Sequence, residues 1–290
     1  MHQEEYYFWR KINKLHWILL FGIAVYMLMG GSTAYGYLGH LVVMAFFLRE
    51  DLSPKDVFVS ERKMTVSVFF QLLFLAQALN FSYLVFSFCM EPVLNAFGFS
   101  AGGFLKDQLE ESIYEPTPFH EVLLFGFFGP IVEEIITRGY LMRSYQRYSG
   151  SKVYAIVFSA IIFGINHCNF YTTVPIIFDA LVLGYIAMEY GIFWTMIYHS
   201  IENFLTSHIF INEIVMRLPV EYRFPTCLSV VLIIALCALA ILLLKRKHII
   251  EYISDNGCER RYYKLTVKSI PFLLYVVMFM LLSLTRLYKI

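Results

Sequence analysis

Apolar blocks of bilayer-spanning length, one after another, dominate this sequence and leave few folds open to it. A helix needs about 20 apolar residues to cross a hydrocarbon core, within a range of about 17–25. Inside that core each backbone N–H and C=O must be satisfied within its own segment, so the blocks predict helices. Residues 15–48 are too many for one span, and their uncharged Gly30-Gly31-Ser32 break predicts two helices joined by a tight turn. Further blocks cover 64–90, 119–142, 153–167, 174–188, 192–211, 225–244 and 270–287. The expected fold is therefore all-α, a polytopic integral membrane helical bundle of about eight or nine spans.

Composition agrees. Hydrophobic residues make up 59% of the chain and charged ones 16%, against about 25% charged in soluble domains. The net charge of +1 gives no reason to expect a nucleic-acid partner. Five cysteines without a CxxC, mostly within apolar blocks, predict buried thiols. No stretch has the form of a cleavable signal peptide. With the N-terminus inside, loops 49–63, 143–152 and 245–268 hold most of the basic residues. Residues 91–117 on the opposite side carry Glu91, Asp107, Glu110, Glu111 and Glu115 against Lys106 alone. That is the positive-inside pattern of a multi-pass cell-membrane protein, with Arg286 and Lys289 the exceptions. The division expected is 1–117 (N-terminal helices and outer loop), 118–207 (a polar-residue-bearing core) and 208–290 (C-terminal helices), all one continuous membrane domain. Thr117 and Pro118 have the form of an N-cap and first helical residue for the core.

Charge inside such a block needs a reason. Each ionised side chain near a bilayer centre costs about 2.5–3.5 kcal/mol on insertion scales, yet Glu133, Glu134 and Arg138 lie within six positions. Glu134 and Arg138 are four apart and can pair on one helix face. Glu133 points about 100° away and has no partner on its own helix. Pro130 cannot donate a backbone hydrogen bond, which leaves a carbonyl near position 126 free. Two later blocks add Phe163 with His167, and His199 with Asn203, each pair at i,i+4. A lone histidine in an apolar helix is most often a satisfied core residue. Two, beside an orphan carboxylate, suit the hydrolysis of an amide. Glu133 with His167 could take a proton from water, and His199 with Asn203 could stabilise an oxyanion. Two His and one Glu could also hold zinc, although no H-E-x-x-H is present. Cys168, adjacent to His167, diverges from it in direction and is the weaker nucleophile candidate.

These motifs resemble the CAAX protease and bacteriocin-processing (CPBP, or Abi) family of intramembrane endopeptidases. E-E-x-x-x-R-G stands at Glu133 to Gly139, F-x-x-x-H at Phe163 to His167, and H-x-x-x-N at His199 to Asn203. The resemblance covers residues 118–207. It implies a glutamate-dependent endopeptidase in which Glu133 and His167 activate water and His199 and Asn203 hold the oxyanion. Glu134, Arg138 and Phe163 would support the site, with no catalytic metal or other cofactor. It further implies a membrane-associated peptide or protein substrate: members act on isoprenylated C-terminal motifs, process peptides or confer bacteriocin self-immunity. The alternatives are a non-catalytic immunity or scaffold protein of the same fold, a zinc-dependent membrane peptidase, and a transporter, for which ionisable residues at several depths would be expected. One expectation conflicts with the block boundaries. Glu133 lies nine residues from the inner end of its block and His167 fifteen from that of its own, a depth difference of roughly 9 Å.

Overall fold

The computed structural model describes residues 3–31, 33–101 and 118–289. Ser32, Thr117 and the acidic residues between 107 and 115 lie outside them. The chain is built from helices: α1 (Gln3–Leu28), α2 (Ala34–Leu48), the single turn α3 (Pro54–Val57) and α4 (Val66–Ala96). Residues 119–149 form one continuous helix, α5, in which Phe119–Leu123, Gly129–Glu134 and Met142–Ser149 are α-helical. The π-helical turns Leu124–Phe128 and Ile135–Leu141 lie between them. Then come α6 (Lys152–Ile165), α7 (Thr173–Glu189) and α8, residues 192–215, α-helical over Ile192–Ile201 and π-helical over Glu202–Val215. The chain closes with α9 (Val220–Asn256), α10 (Arg260–Val267) and α11 (Ile270–Leu284). A small antiparallel pair, β1 (Phe99–Ala101) with β2 (Leu287–Lys289), joins distant parts of the chain.

All the apolar blocks are helical, which confirms the all-α class. Span number is a separate matter. Among the described residues, α1, α4 and α9 are long and apolar enough to cross a membrane, and α10 with α11, bent by 62°, would make a fourth. Eight or nine crossings do not follow from length and composition, because helices such as α2 and α6 are short.

Several boundaries move for identifiable reasons. The turn after α1 is where expected, with Gly30 (φ 100°) and Gly31 (φ 59°) in the left-handed region open to glycine. Thr33 then caps α2 by accepting from the Gly36 N–H. The core helix starts at Phe119 with Pro118 in the capping position. The helix runs past the apolar block to Ser149: Arg143 is 6% exposed and donates to the carbonyls of Val59 and Ala187, so it belongs to the packed helix. Gly150 (φ 70°) then turns the chain directly into α6. This removes the depth conflict. From that shared turn Glu133 is sixteen residues along α5 (149 − 133) and His167 fifteen beyond the start of α6 (167 − 152).

The largest core cluster lies where α1, α2, α5, α6 and α11 meet, around Tyr145, Tyr154, Phe158 and Phe272. His16 of α1 is fully buried there, with its ring nitrogens 3.0 Å from Ser269 Oγ and 2.7 Å from Tyr145 Oη. Arg286, an exception to the expected charge pattern, donates to the His167 carbonyl (3.1 Å) and so ties the last strand to the end of α6.

Candidate active site

Pro130 sets the local geometry of α5. Having no N–H, it cannot complete the hydrogen-bond ladder, and its ring crowds the carbonyl one turn earlier. The preceding turn is wound wider, with the Gly129 N–H reaching Leu124 O, five residues back. In that register the acceptor left without a donor is Phe125 O. Asn203 of α8 supplies one, its Nδ2 donating to Phe125 O at 2.9 Å. A carbonyl freed by proline thus fixes the position of Asn203 against the helix that carries both glutamates.

Glu134 is fully buried, and its Oε1 accepts from two side chains, Arg138 Nη1 at 3.0 Å and His199 Nδ1 at 2.9 Å. Sequence spacing showed the first partner; the second comes from a helix 65 residues away. The Arg138 guanidinium is also fully buried and lies 4.3 Å from the Phe163 ring centroid. Phe163 meets His167 and His199 edge-on, with ring centroids 5.1 Å and 5.6 Å apart. One aromatic ring therefore sets both imidazoles and the guanidinium.

Both histidines have one nitrogen committed. A carbonyl can only accept, so His167 Nδ1 is the donor to Phe163 O (2.9 Å). His199 Nδ1 is likewise the donor to the Glu134 carboxylate. Each ring keeps Nε2 for chemistry. His199 Nε2 stands 3.9 Å from Glu133 Oε2, within ion-pair range but too far for a hydrogen bond. His167, just past the last turn of α6, interacts electrostatically with Glu133 and with His199. The Glu133 side chain keeps 26% exposure while Glu134 keeps none. Glu133, His167, His199 and Asn203 are thus carried to one place on α5, α6 and α8, with Glu134, Arg138 and Phe163 packed behind them.

Three further residues belong here. Asp179 of α7 and Glu202 of α8, both buried, lie close enough to each other and to Glu134 and Arg138 to interact electrostatically. Tyr37 of α2 brings its phenol oxygen to within 3.4 Å of where a Cβ on Gly129 would stand, one turn before Glu133, and interacts electrostatically with Glu133. Glu202, three residues from His199 on the same face, and Asp179, a charge inside the apolar block 174–188, are the main other ionisable residues that the sequence places in the membrane, whereas nothing in the local sequence marks Tyr37. The Cys168 thiol is turned to the Asn166 carbonyl (3.5 Å). Among the described residues no three His, Cys, Asp or Glu side chains are grouped so as to hold a metal. An apolar cleft of about 400 Å³ flanks the site on the same two helices, lined by Phe127, Ile131, Met196, Ile197, Ser200 and Phe204.

Comparison with protein families matches residues 115–205 to the type II CAAX prenyl endopeptidase Rce1-like family, a family of CAAX protease-type enzymes. The matched segment contains all three motifs and agrees with the CPBP resemblance that they carry. No curated protein and no solved structure matches the chain.

Proposed function

We propose that this chain is an intramembrane endopeptidase of the cell membrane that hydrolyses a peptide bond of a membrane-associated protein or peptide by water activated at Glu133. The observation that carries the reading is the division of labour between adjacent glutamates. Glu134 is consumed by Arg138 and His199, while Glu133 keeps an exposed carboxylate facing the free Nε2 of His199.

In the proposed reaction Glu133, with His167 orienting the water, takes a proton from it as the oxygen attacks the scissile carbonyl carbon. The carbonyl π-electrons move to oxygen. His199 in its protonated form, with a carboxylate at each end of the ring, offers Nε2–H to that oxyanion. An amide NH2 has two donors. One Asn203 hydrogen serves Phe125 O, and the other is left for the oxyanion. Collapse of the intermediate breaks the C–N bond, and the proton held by Glu133 passes to the leaving nitrogen. The apolar cleft beside the site suits a substrate presented from lipid.

The test compares membrane peptides from cells carrying the native chain or Glu133→Ala. Peptides whose new C-termini depend on Glu133 are expected, and their formation should be insensitive to chelators. Identical peptide sets would refute the endopeptidase reading, and loss of cleavage on chelation, restored by zinc, would favour a metallopeptidase.

A further inference from the structure

His167 leaves α6 through a strained turn. The Asn166 N–H still makes the α-helical step to Ile162 O, but the His167 N–H bonds to Gly164 O (3.2 Å) and the Cys168 N–H to Ile165 O (3.1 Å), each one residue tighter. Cys168 then takes φ 48°, the left-handed conformation in which helices commonly end on glycine. Among the described residues it is the only non-glycine with a positive φ. Such a conformation beside a functional group persists where the surroundings over-determine it. Asn169 supplies part of this from within the turn: its Oδ1 accepts from the Tyr171 N–H (2.8 Å) and its carbonyl from Thr173 Oγ1 (2.7 Å). The rest comes from the end of the chain. Tyr275 of α11 donates to Asn166 Oδ1, and Arg286 Nη1 donates to His167 O (3.1 Å). Leu287 of β2 packs with Met90 and Leu94 of α4 against the buried Tyr171. β2 is itself fixed, pairing Leu287 with Ala101 and Lys289 with Phe99 of β1. These C-terminal groups all lie outside the matched residues 115–205.

We infer that Arg286 is a positioning residue for His167: by holding the His167 carbonyl from outside α6, it fixes the backbone from which the imidazole is presented, with His199, around the Phe163 ring. The inference rests on the proposed function for its purpose but not for its physical content. The imidazole is held by Nδ1 to Phe163 O (2.9 Å), with the Phe163 ring edge-on at 5.1 Å. Both of those contacts come from the preceding turn of α6. Rotation of the backbone where the helix ends would break them and swing Nε2 out of the site. A charged donor on the carbonyl, anchored on a different part of the chain, opposes that rotation.

The test follows the imidazole itself and needs no substrate. The full-length chain with ¹⁵N-labelled histidine is placed in lipid nanodiscs, and the His167 resonance is assigned by its loss in His167→Gln. In the native chain the Nδ1–H bonded to Phe163 O should give a signal that exchanges slowly with water. Arg286 is exposed, so Arg286→Met removes the bond and leaves the packed core as it is. Exchange at His167 should then speed up by about tenfold, the size of one hydrogen bond to a charged group. The signal of His16, buried between Ser269 and Tyr145, should not change. Arg286→Lys keeps a donor of similar reach and should restore slow exchange. Thr285→Ala loses only a bond to Leu282 O in its own helix and should match the native chain. An unchanged His167 signal in Arg286→Met overturns the inference, as do an equal change in Thr285→Ala and an Arg286→Lys variant no better than Arg286→Met. Where cleavage is measured, Arg286→Met should lower kcat by about 10–10²-fold with KM unchanged, the scale of a small misplacement of a reacting group. A native kcat in that variant, where cleavage depends on Glu133, also overturns it. If Glu133→Ala leaves membrane peptides unaltered while the His167 signal still responds to Arg286, the functional reading has failed and the positioning role has not.

Discussion

Replacing Arg138 by methionine tests whether the buried charges behind the site are as interdependent as their geometry implies. The guanidinium is fully buried, 3.0 Å from Glu134 Oε1 and 4.3 Å from the Phe163 ring. Removing one partner of a buried ion pair costs about 3–5 kcal/mol, mostly because the other charge stays behind uncompensated. Loss of a desolvated cation–π contact adds up to about 2 kcal/mol, although the two terms are not additive. His199 moderates the loss, because its Nδ1 donates to the same Glu134 oxygen at 2.9 Å and can take over part of the charge. The expected cost is therefore near the lower end, about 3 kcal/mol. Glu134→Gln in the same chain removes the stranded charge and leaves only lost packing and hydrogen bonding. The double variant should accordingly recover about 1–2 kcal/mol of the single variant's loss. Unfolding in mixed dodecylmaltoside–SDS micelles, followed by far-UV circular dichroism, measures all four corners of the cycle. An Arg138→Met variant within about 1 kcal/mol of native, or a double variant as unstable as the two single losses summed, would refute this account of the pair.

Other predictions reach different parts of the molecule. Gly164→Ala places a Cβ 2.3 Å from Ile177 Cγ1 and 2.8 Å from Thr173 O, a backbone atom that cannot step aside. It should cost about 1–3 kcal/mol in the same unfolding assay and displace the turn that carries His167; a neutral result would mean that α6 and α7 have slack between them. Asp51, in the loop after α2, is partly buried, which would raise its pKa, but hydrogen bonds from Lys11 and Tyr148 hold it below the ordinary value. A depressed carboxyl stabilises the fold fully above its unfolded value, about pH 3.9, and loses that contribution as pH falls through the lower folded value. Asp51→Asn should flatten the stability profile in that acid window, and an unchanged acid slope would exclude Asp51 as its source. Asn203→Ala removes the donor to Phe125 O and one proposed oxyanion donor, so kcat for peptide cleavage should fall by about 10²–10³. An undiminished kcat would leave Asn203 a purely structural role.

The parts of this molecule legible in the sequence are those whose cause is local. Apolar length marks the helices, and uncharged glycines mark the turn between α1 and α2. An i,i+4 spacing pairs Glu134 with Arg138, and a missing N–H at Pro130 announces a free carbonyl. What was not legible depends on winding or on distant partners. The widened turns of α5 shift the free carbonyl from position 126 to Phe125 and give it to a side chain 78 residues away. Arg143 and its polar neighbours had the composition of a loop, but Arg143 is drawn into the packed helix by carbonyls of Val59 and Ala187. Lys245, Arg246 and Lys247 had the composition of an inner loop, yet α9 runs on through them to Asn256. Asp179 stands out as a charge in an apolar block, but its neighbours do not indicate which groups it meets, because those lie on other helices.

The central claim is that Glu133 activates the water that cuts a peptide bond within the membrane. Membranes containing the native chain, Glu133→Gln or Cys168→Ser are incubated in ¹⁸O-labelled water, and newly formed ¹⁸O-carboxyl termini are quantified by mass spectrometry. The account predicts labelled termini that require the chain, vanish with Glu133→Gln and persist with Cys168→Ser. Labelled termini forming at the native rate in Glu133→Gln membranes would contradict it.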